Sequence, residues 1–477
     1  MTSLSPAASR GRIAPQRADG RRRRFLRRLT VATGGGMFLD GFVFACIAVV
    51  VAGPAFRRDL GTTPLWLSMI SASTLVGTIA GGPVIGHLTD RIGRRRMFTV
   101  DLSLFLVASV LMYFVTAPWQ IVALGVVLGF AVGGDYAIGS PLLGEFTPAE
   151  SRGSYLGILE ILWNVGYVAA FSLGFLITRS DPDAWRWALG LSAVPAAAVL
   201  ALRHGLPESP RWLIARGRHE EAADILTEHL GIAPDDAEFA DEPTEEAGAG
   251  AFRALFQPDY IARTLFCCVF WICIVLPYFA LTFFQADVLA TLSISDPLLT
   301  ALFGTCVALV GAALGWWLID RVGRRAILIT PMFVTAAALT AMAFHGHLPH
   351  AVTVCCFFLY LFAYGVMSIL PGVYPLEVFP TSVRTTGMGV SAAASRIGAA
   401  VGTFLLPLSL TALGTTPTLL MTAGVCLAGG LTSTVLAPET NGRSLARTGG
   451  RQGHEATTEP HTTRTADTPA AHPVRKA

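Results

Sequence analysis

Lysine is all but missing from this chain. Lys476 is its sole example, and arginine carries nearly all of the positive charge. Charged residues of both signs make up only 14% of the 477 residues, against about 25% in a soluble globular domain. So little charge over so long a chain does not read as a water-soluble enzyme. The net charge of +3 is too small to point to nucleic acid. The eight cysteines (Cys46, Cys267, Cys268, Cys273, Cys306, Cys355, Cys356 and Cys426) all fall in apolar stretches, and no C-x-x-C pair meets a second one. That leaves no disulfide framework and no metal site, only small buried hydrophobes. The glycine runs at 77–82 and 125–134 are followed by no Gly-Lys-Ser/Thr, so they are not phosphate loops. Small residues of this kind let membrane helices approach closely. With no nucleophile–base set in view, neither an enzyme nor a cofactor is expected.

What the chain does have is apolar length. A membrane-spanning helix needs about 20 mostly apolar residues. Twelve stretches qualify: 29–53, 65–89, 98–116, 119–141, 153–178, 185–204, 261–286, 297–319, 326–344, 350–372, 385–409 and 415–437. The expected class is therefore an all-α, multi-pass membrane protein. Arginine accumulates in cytoplasmic loops. Alternate loops hold Arg21–Arg28, Arg91–Arg96, Arg152, Arg211–Arg218, Arg321–Arg325, Arg384 and Arg443. This places both termini in the cytoplasm. Five segments follow: a disordered cytoplasmic arm (1–28), a first bundle of six helices (29–204), a cytoplasmic linker with a short helix (205–260), a second bundle of six (261–437) and a disordered cytoplasmic tail (438–477).

The two bundles repeat one another. Asp90-Arg91-Ile92-Gly93-Arg94-Arg95 recurs as Asp320-Arg321-Val322-Gly323-Arg324-Arg325. Glu145-Phe146-Thr147-Pro148 with Arg152 recurs as Glu377-Val378-Phe379-Pro380 with Arg384. Pro207-Glu208-Ser209 recurs as Pro438-Glu439-Thr440. The three offsets are 230, 232 and 231 residues. Two six-helix halves in parallel repeat are one transporter architecture, with binding near the bilayer midplane.

Charges inside a membrane are costly and need a reason, about 2.5–3.5 kcal/mol each at a helix centre. Four stand out: Asp40, Asp135, Glu160 and Arg396. Counting from the nearest loop charge, they lie about 18, 15, 12 and 18 Å deep at helical rise, close to the midplane of a core about 30 Å thick. A carboxyl group away from water holds a proton more readily. Asp40, Asp135 and Glu160 are thus candidates for proton coupling. Arg396 is the candidate for an anionic substrate group, or a resting counter-ion. A purely structural Asp135–Arg396 ion pair is the competing reading. Glu160, Asn164, Trp271, Tyr278 and Tyr364 complete the candidate substrate set.

On these residues the chain resembles the major facilitator superfamily. The loop Gly86-His87-Leu88-Thr89-Asp90-Arg91-Ile92-Gly93-Arg94-Arg95-Arg96 is similar to that superfamily's loop motif. Pro207-Glu208-Ser209-Pro210-Arg211-Trp212 and Pro438-Glu439-Thr440 resemble the sugar-porter branch and its organic-acid and phosphate relatives. The resemblance implies a gate on the cytoplasmic side, closed when the carrier faces outward. It would be built from Gly86, Asp90, Arg91, Gly93, Arg94, Arg95, Glu145, Arg152 and Glu208, with Asp320, Arg321, Gly323, Arg324, Arg325, Glu377, Arg384 and Glu439 in the second half. Asp90 would reach a helix N-terminus of the opposite half. The seventh span departs from the sugar-porter pattern. It reads Phe266-Cys267-Cys268-Val269-Phe270-Trp271 without the Gln-Gln-x-x-Gly-x-Asn of hexose carriers. Gly133-Gly134-Asp135-Tyr136 looks like the phosphate:proton symporters, but Val275 stands where they carry an acid. Asp40-Gly41-Phe42 resembles the Asp-Gly-aromatic-Asp of organic-acid:proton symporters, with Val43 in place of the second acid, and Leu159-Glu160-x-x-Trp163-x-x-Gly166 is similar to some acid and vitamin carriers.

The expectation is a plasma (inner) membrane symporter of a proton and a small, polar, anionic metabolite, an organic acid or a sugar-like compound. Its partners would be that solute, the proton and the bilayer, and no nucleic acid. Proton-coupled efflux of a cationic or amphiphilic compound also suits three acids. A transporter-like sensor that does not cycle is the reading from another class.

Overall fold

A computed structural model describes residues 15–147, 152–230, 249–258, 260–379 and 383–440. The side chains of Asp90, Glu145, Arg152, Asp320 and Arg384 lie outside those described, as do residues 1–14 and the tail beyond 440. Among the described residues the chain is helical throughout, and twelve helices are long and apolar enough to cross a membrane. They are α1 (Pro15–Ala52), α2 (Pro64–Ile92), α3 (Arg94–Tyr113), α4 (Pro118–Phe146), α5 (Arg152–Ser180), α6 (Pro182–Arg203), α7 (Ile261–Phe283), α8 (Pro297–Val322), α9 (Arg324–Ala343), α10 (His350–Met367), α11 (Arg384–Ala412) and α12 (Thr415–Leu436).

The repeat seen in the sequence is also a repeat of packing. In the first half α1 lies on α5 and α2 on α4; in the second, α7 lies on α11 and α8 on α10. Each partner is displaced by six helices. The close pairs depend on small residues. A Cβ at Gly41 would strike the carbonyl of Trp163, and one at Gly166 the carbonyl of Phe38. The α1–α5 crossing therefore brings backbone against backbone. The halves meet where α2 touches α11, α5 touches α8 and α1 touches α7.

Two expectations need correction. Residues 15–28 are not a structureless arm: α1 begins at Pro15 and runs straight into the first span. Phe25 and Leu26 are buried, and Phe25 packs on Phe146 and His229. The apolar pair gives the arginine-rich turn a surface to hold. The seventh span does not run unbroken to 286. α7 stops at Phe283, and a separate helix, Gln285–Thr291, follows the break at Phe284. Pro277 lies within α7, and the carbonyl of that residue accepts a hydrogen bond from the Tyr360 hydroxyl (3.3 Å).

The arginine loops show why their glycines are there. α2 ends at Gly93 with φ +104°, and α8 ends at Gly323 with φ +97°. L residues rarely adopt such backbone. Each turn also leaves room for an acid from the end of the same half. Glu208 accepts from the backbone N–H of Arg94 (2.8 Å) and Arg95 (3.2 Å). Glu439 accepts from those of Arg324 (3.1 Å) and Arg325 (3.2 Å). An anion at a helix N-terminus meets unpaired donors and the positive end of the dipole. The Pro-Glu-Ser and Pro-Glu-Thr elements thus staple the sixth and twelfth helices to the third and ninth.

Candidate functional site

The halves are latched on the face opposite the arginine loops. Arg57 Nη2 lies 2.5 Å from Asp287 Oδ2, and Arg179 Nη1 lies 3.0 Å from Asp296 Oδ2. Below these, Phe44 of α1 packs on Phe279 and Phe283 of α7, with ring centroids 5.1 and 5.9 Å apart. Trp163 meets Tyr278 and Phe279 at 6.2 and 6.1 Å. The Tyr167 hydroxyl donates to the carbonyl of Thr282 (3.4 Å). On the arginine-rich face, Arg324 grips Glu377 of its own half at 2.9 Å. Tyr278, Tyr360 and Gln285, toward the latched face, are buried, whereas Tyr136, Glu160 and Arg396 are only half-buried. The two halves are thus held together on one face, and the polar side chains farther from it are less completely buried.

The four intramembrane charges divide into two groups with Asp40 between them. Arg396 comes from the second half and leans on the first: its Cζ stands 4.9 Å from the Tyr136 ring centroid. Glu160 points the other way, into the second half, where a Cβ at Gly372 would stand 3.7 Å from its Oε1. Glu160 and Arg396 interact electrostatically, yet no ion pair joins them among the described residues. A guanidinium of one half and a carboxylate of the other thus feel one another's charge.

Asp135 belongs to the other group. The structural pair with Arg396 is not formed. Asp135 pairs instead with Arg203 at the end of α6, at 2.6 Å. The guanidinium is held on three sides: its Nε donates to the carbonyl of Ala32 (2.9 Å) and its Cζ stands 4.1 Å from the Phe98 centroid. Gly36 makes the space, since a Cβ there would strike both Asp135 and Arg203. Arg203 won over Arg396 because it shares a half with Asp135 and needs no closure to reach it. Asp40 is 1% exposed, its Oδ2 has no hydrogen-bond partner, and it interacts electrostatically with Asp135, Asp101, Arg396 and Arg203.

Of the remaining expected ligands, Tyr278 and Tyr364 stack face to face, 3.6 Å between centroids and 4° between planes. Trp271 is buried in α7. Asn164 spends its amide on its own helix, donating to the carbonyl of Glu160 (3.0 Å). Two buried charges escaped sequence reasoning: Asp101 in α3 and Arg203 in α6. Both sit inside apolar spans, and the depth count applied to the other four would have found Asp101. Arg203 ends its span and reads there as an ordinary loop arginine.

Several of the described gate residues have partners in their own half. Glu208, Glu439 and Glu377 are all engaged within their own halves. Arg91 and Arg321 are exposed; Arg216 donates to the carbonyl of Arg91 (2.9 Å), and Arg321 lies over Trp317 (3.7 Å to the centroid).

Comparison with known proteins agrees with this architecture. A family model described as "Sugar (and other) transporter" matches residues 29–448. The inner membrane metabolite transport protein YgcS of Escherichia coli (strain K12) is 36% identical over 430 residues, covering 89% of this chain and 94% of that one. The putative niacin/nicotinamide transporter NiaP of Bacillus subtilis (strain 168) is 28% identical, covering 80% and 88%. Among solved structures, a partially occluded inward open conformation of the xylose transporter XylE from E. coli superposes with a TM-score of 0.77 at 19% identity, over 88% of this chain and all of that one. The family model's match over residues 29–448 and the 36% identical relative show the family: the chain belongs to the sugar and other transporters, within the major facilitator superfamily.

Proposed function

We propose that the chain symports a proton with a small anionic metabolite by alternating access across a plasma (inner) membrane. Both termini lie in the cytoplasm, since the arginine-rich loops mark the inner face. The described conformation then faces inward. The observation that carries this reading is the position of Asp40. It interacts on one side with Arg396, the cationic group from the second half, and on the other with the Asp135–Arg203 pair. A proton on Asp40 and an anion on Arg396 each alter the charge the other feels. That mutual dependence is what coupling requires.

Arg396 and Glu160 set the ligand's chemistry. A carboxylate would take Arg396, and a hydrogen-bond donor elsewhere on the same molecule would face Glu160. Tyr278, Tyr364, Trp271 and Asn164 would line the approach. Such a ligand draws the halves together, because its two contacts come from different halves. The niacin/nicotinamide relative's name is in keeping with a small acid of this kind. The gate acids and arginines would exchange their present partners for the opposite half when the inner face closes.

Thermal-shift screening of purified protein against sugars, inorganic phosphate, aliphatic and aromatic carboxylates and amines tests the reading. A carboxylate should stabilise the wild type. Losing a charge-assisted hydrogen bond of about 1.5–3 kcal/mol should weaken its binding to Arg396→Gln by at least about tenfold. Stabilisation by an amine alone would favour efflux of a cation. Binding of a neutral sugar, indifferent to Arg396→Gln, would sink the anion reading.

A further inference from the structure

Four buried side chains from four helices of the first half come together: Asp40 of α1, Asp101 of α3, Asp135 of α4 and Arg203 of α6, all 6% exposed or less. Arg203 is committed to Asp135. The Oδ1 of Asp101 has no hydrogen-bond partner. That oxygen faces α4, where a Cβ on Gly134 would stand 2.7 Å from it. The helices packed on α3 are α2, α4 and α6. The charged groups they turn toward Asp101 are Asp135 and Arg203.

Three carboxyl groups thus share one guanidinium in apolar surroundings. Fully ionised, the cluster would hold two unbalanced negative charges, and two such charges 4 Å apart repel by about 4 kcal/mol even at an effective dielectric constant of 20. Something positive must balance them. Among the described residues no three of His, Cys, Asp and Glu are placed to hold a metal ion. Protons are the remaining candidate: Arg396 lies within electrostatic reach of Asp40, so at least one proton is needed, and two are needed when an anion occupies Arg396. Asp40 is one acceptor. Asp101 stands seven residues into α3 from Arg94, about 10 Å at helical rise, against about 18 Å for Asp40 from Arg28. Of the three carboxyl groups it is, by this count, the nearest to the arginine-rich face.

We propose that Asp101 is a second proton-binding site, the inner end of a relay that starts at Asp40 and passes through the Asp135–Arg203 pair. The relay begins with protons on Asp40 and Asp101 and with Asp135 ionised against Arg203. Asp101 loses its proton to water on the inner side and takes Arg203 as counter-ion. Asp135, released, accepts the proton of Asp40, and ionised Asp40 is left facing Arg396. Asp135 then passes its proton to Asp101 and recovers Arg203. One proton crosses the cluster, and no charge is created or lost.

The inference rests on the proton-symport reading, but its test needs no substrate. Infrared difference spectra of the full-length protein in lipid, recorded between acid and alkaline pH, report the C=O stretch of un-ionised carboxyl groups. Two buried carboxyl bands are expected, both shifted in heavy water. Asp40→Asn should remove one and Asp101→Asn the other. Asp101→Glu, a second variant should Asp101→Asn fold poorly, should move the Asp101 band rather than delete it. Both bands surviving in Asp101→Asn would overturn the proposal, as would an Asp101→Glu spectrum identical to wild type. Loss of the bands on adding sodium at fixed pH would assign the cluster to a cation instead. Symport itself is judged separately by flux, so either idea can fail alone.

Discussion

Replacing Arg203 with Met strands the Asp135 carboxylate. The pair is nearly sealed, with side chains 4% and 5% exposed. Removing one partner of such a pair costs about 3–5 kcal/mol. The loss has a ceiling, because Asp135 can take a proton instead. For a carboxyl of ordinary pKa near 3.9, that costs about 1.4 kcal/mol per pH unit, or about 4 kcal/mol at pH 7 and about 1.5 kcal/mol at pH 5. The sign follows: lower pH supplies the proton, so the penalty of Arg203→Met should shrink by about 1.5–2.7 kcal/mol from pH 7 to pH 5. The double variant Asp135→Asn, Arg203→Met leaves no stranded charge and should recover most of the stability at pH 7. Unfolding of purified protein in detergent, measured against wild type at each pH, reads both effects. A penalty equal at the two pH values, or a double variant no better than the single one, would refute the reasoning.

Three further outcomes follow from other parts of the fold. Arg57→Ala opens the outer latch; the Arg57–Asp287 side chains are 32% and 28% exposed, so the loss is about 0.2–1 kcal/mol and the outward-facing population should rise up to about fivefold, read by spin-label distances across that face. Gly93→Ala and Gly323→Ala should each cost about 1–2 kcal/mol, because an L residue is forced to positive φ and its Cβ lands 2.7–2.8 Å from Glu208 or Glu439; melting curves check this, and wild-type stability in both would contradict it. The Trp185 indole N–H donates to Asp59 (3.1 Å) and holds that carboxyl below its ordinary value of 3.8. The contact therefore adds stability above that value and loses it as pH falls through the lowered one. Trp185→Phe should flatten the acid limb of the stability profile.

The spans, the repeat and the inner-loop motifs were legible because apolar length and arginine placement are properties of sequence alone. The partners of the motifs were not. Glu208 lies 114 residues from the N–H it caps, and nothing in a linear pattern separates a cap within one half from a gate between halves. The same limit explains Asp135. Its depth was readable, but the choice between Arg203 and Arg396 depends on which helices share a half and which way Arg203 turns. The onset of α1 at Pro15 was hidden by its arginines. A polar stretch looks structureless until Phe25 and Leu26 are seen to be buried. Asp40 was singled out from position alone, but its place between two charged groups needed three dimensions.

In the proposed mechanism, solute and proton move together through Asp40. Proteoliposomes in weak buffer, given the carboxylate found by screening, test it directly. The external medium should turn alkaline as the solute enters, a protonophore should abolish that signal, and Asp40→Asn should lose it while still exchanging solute for solute. Solute entry with no accompanying proton movement, or an Asp40→Asn variant that still alkalinises the medium, would contradict the account.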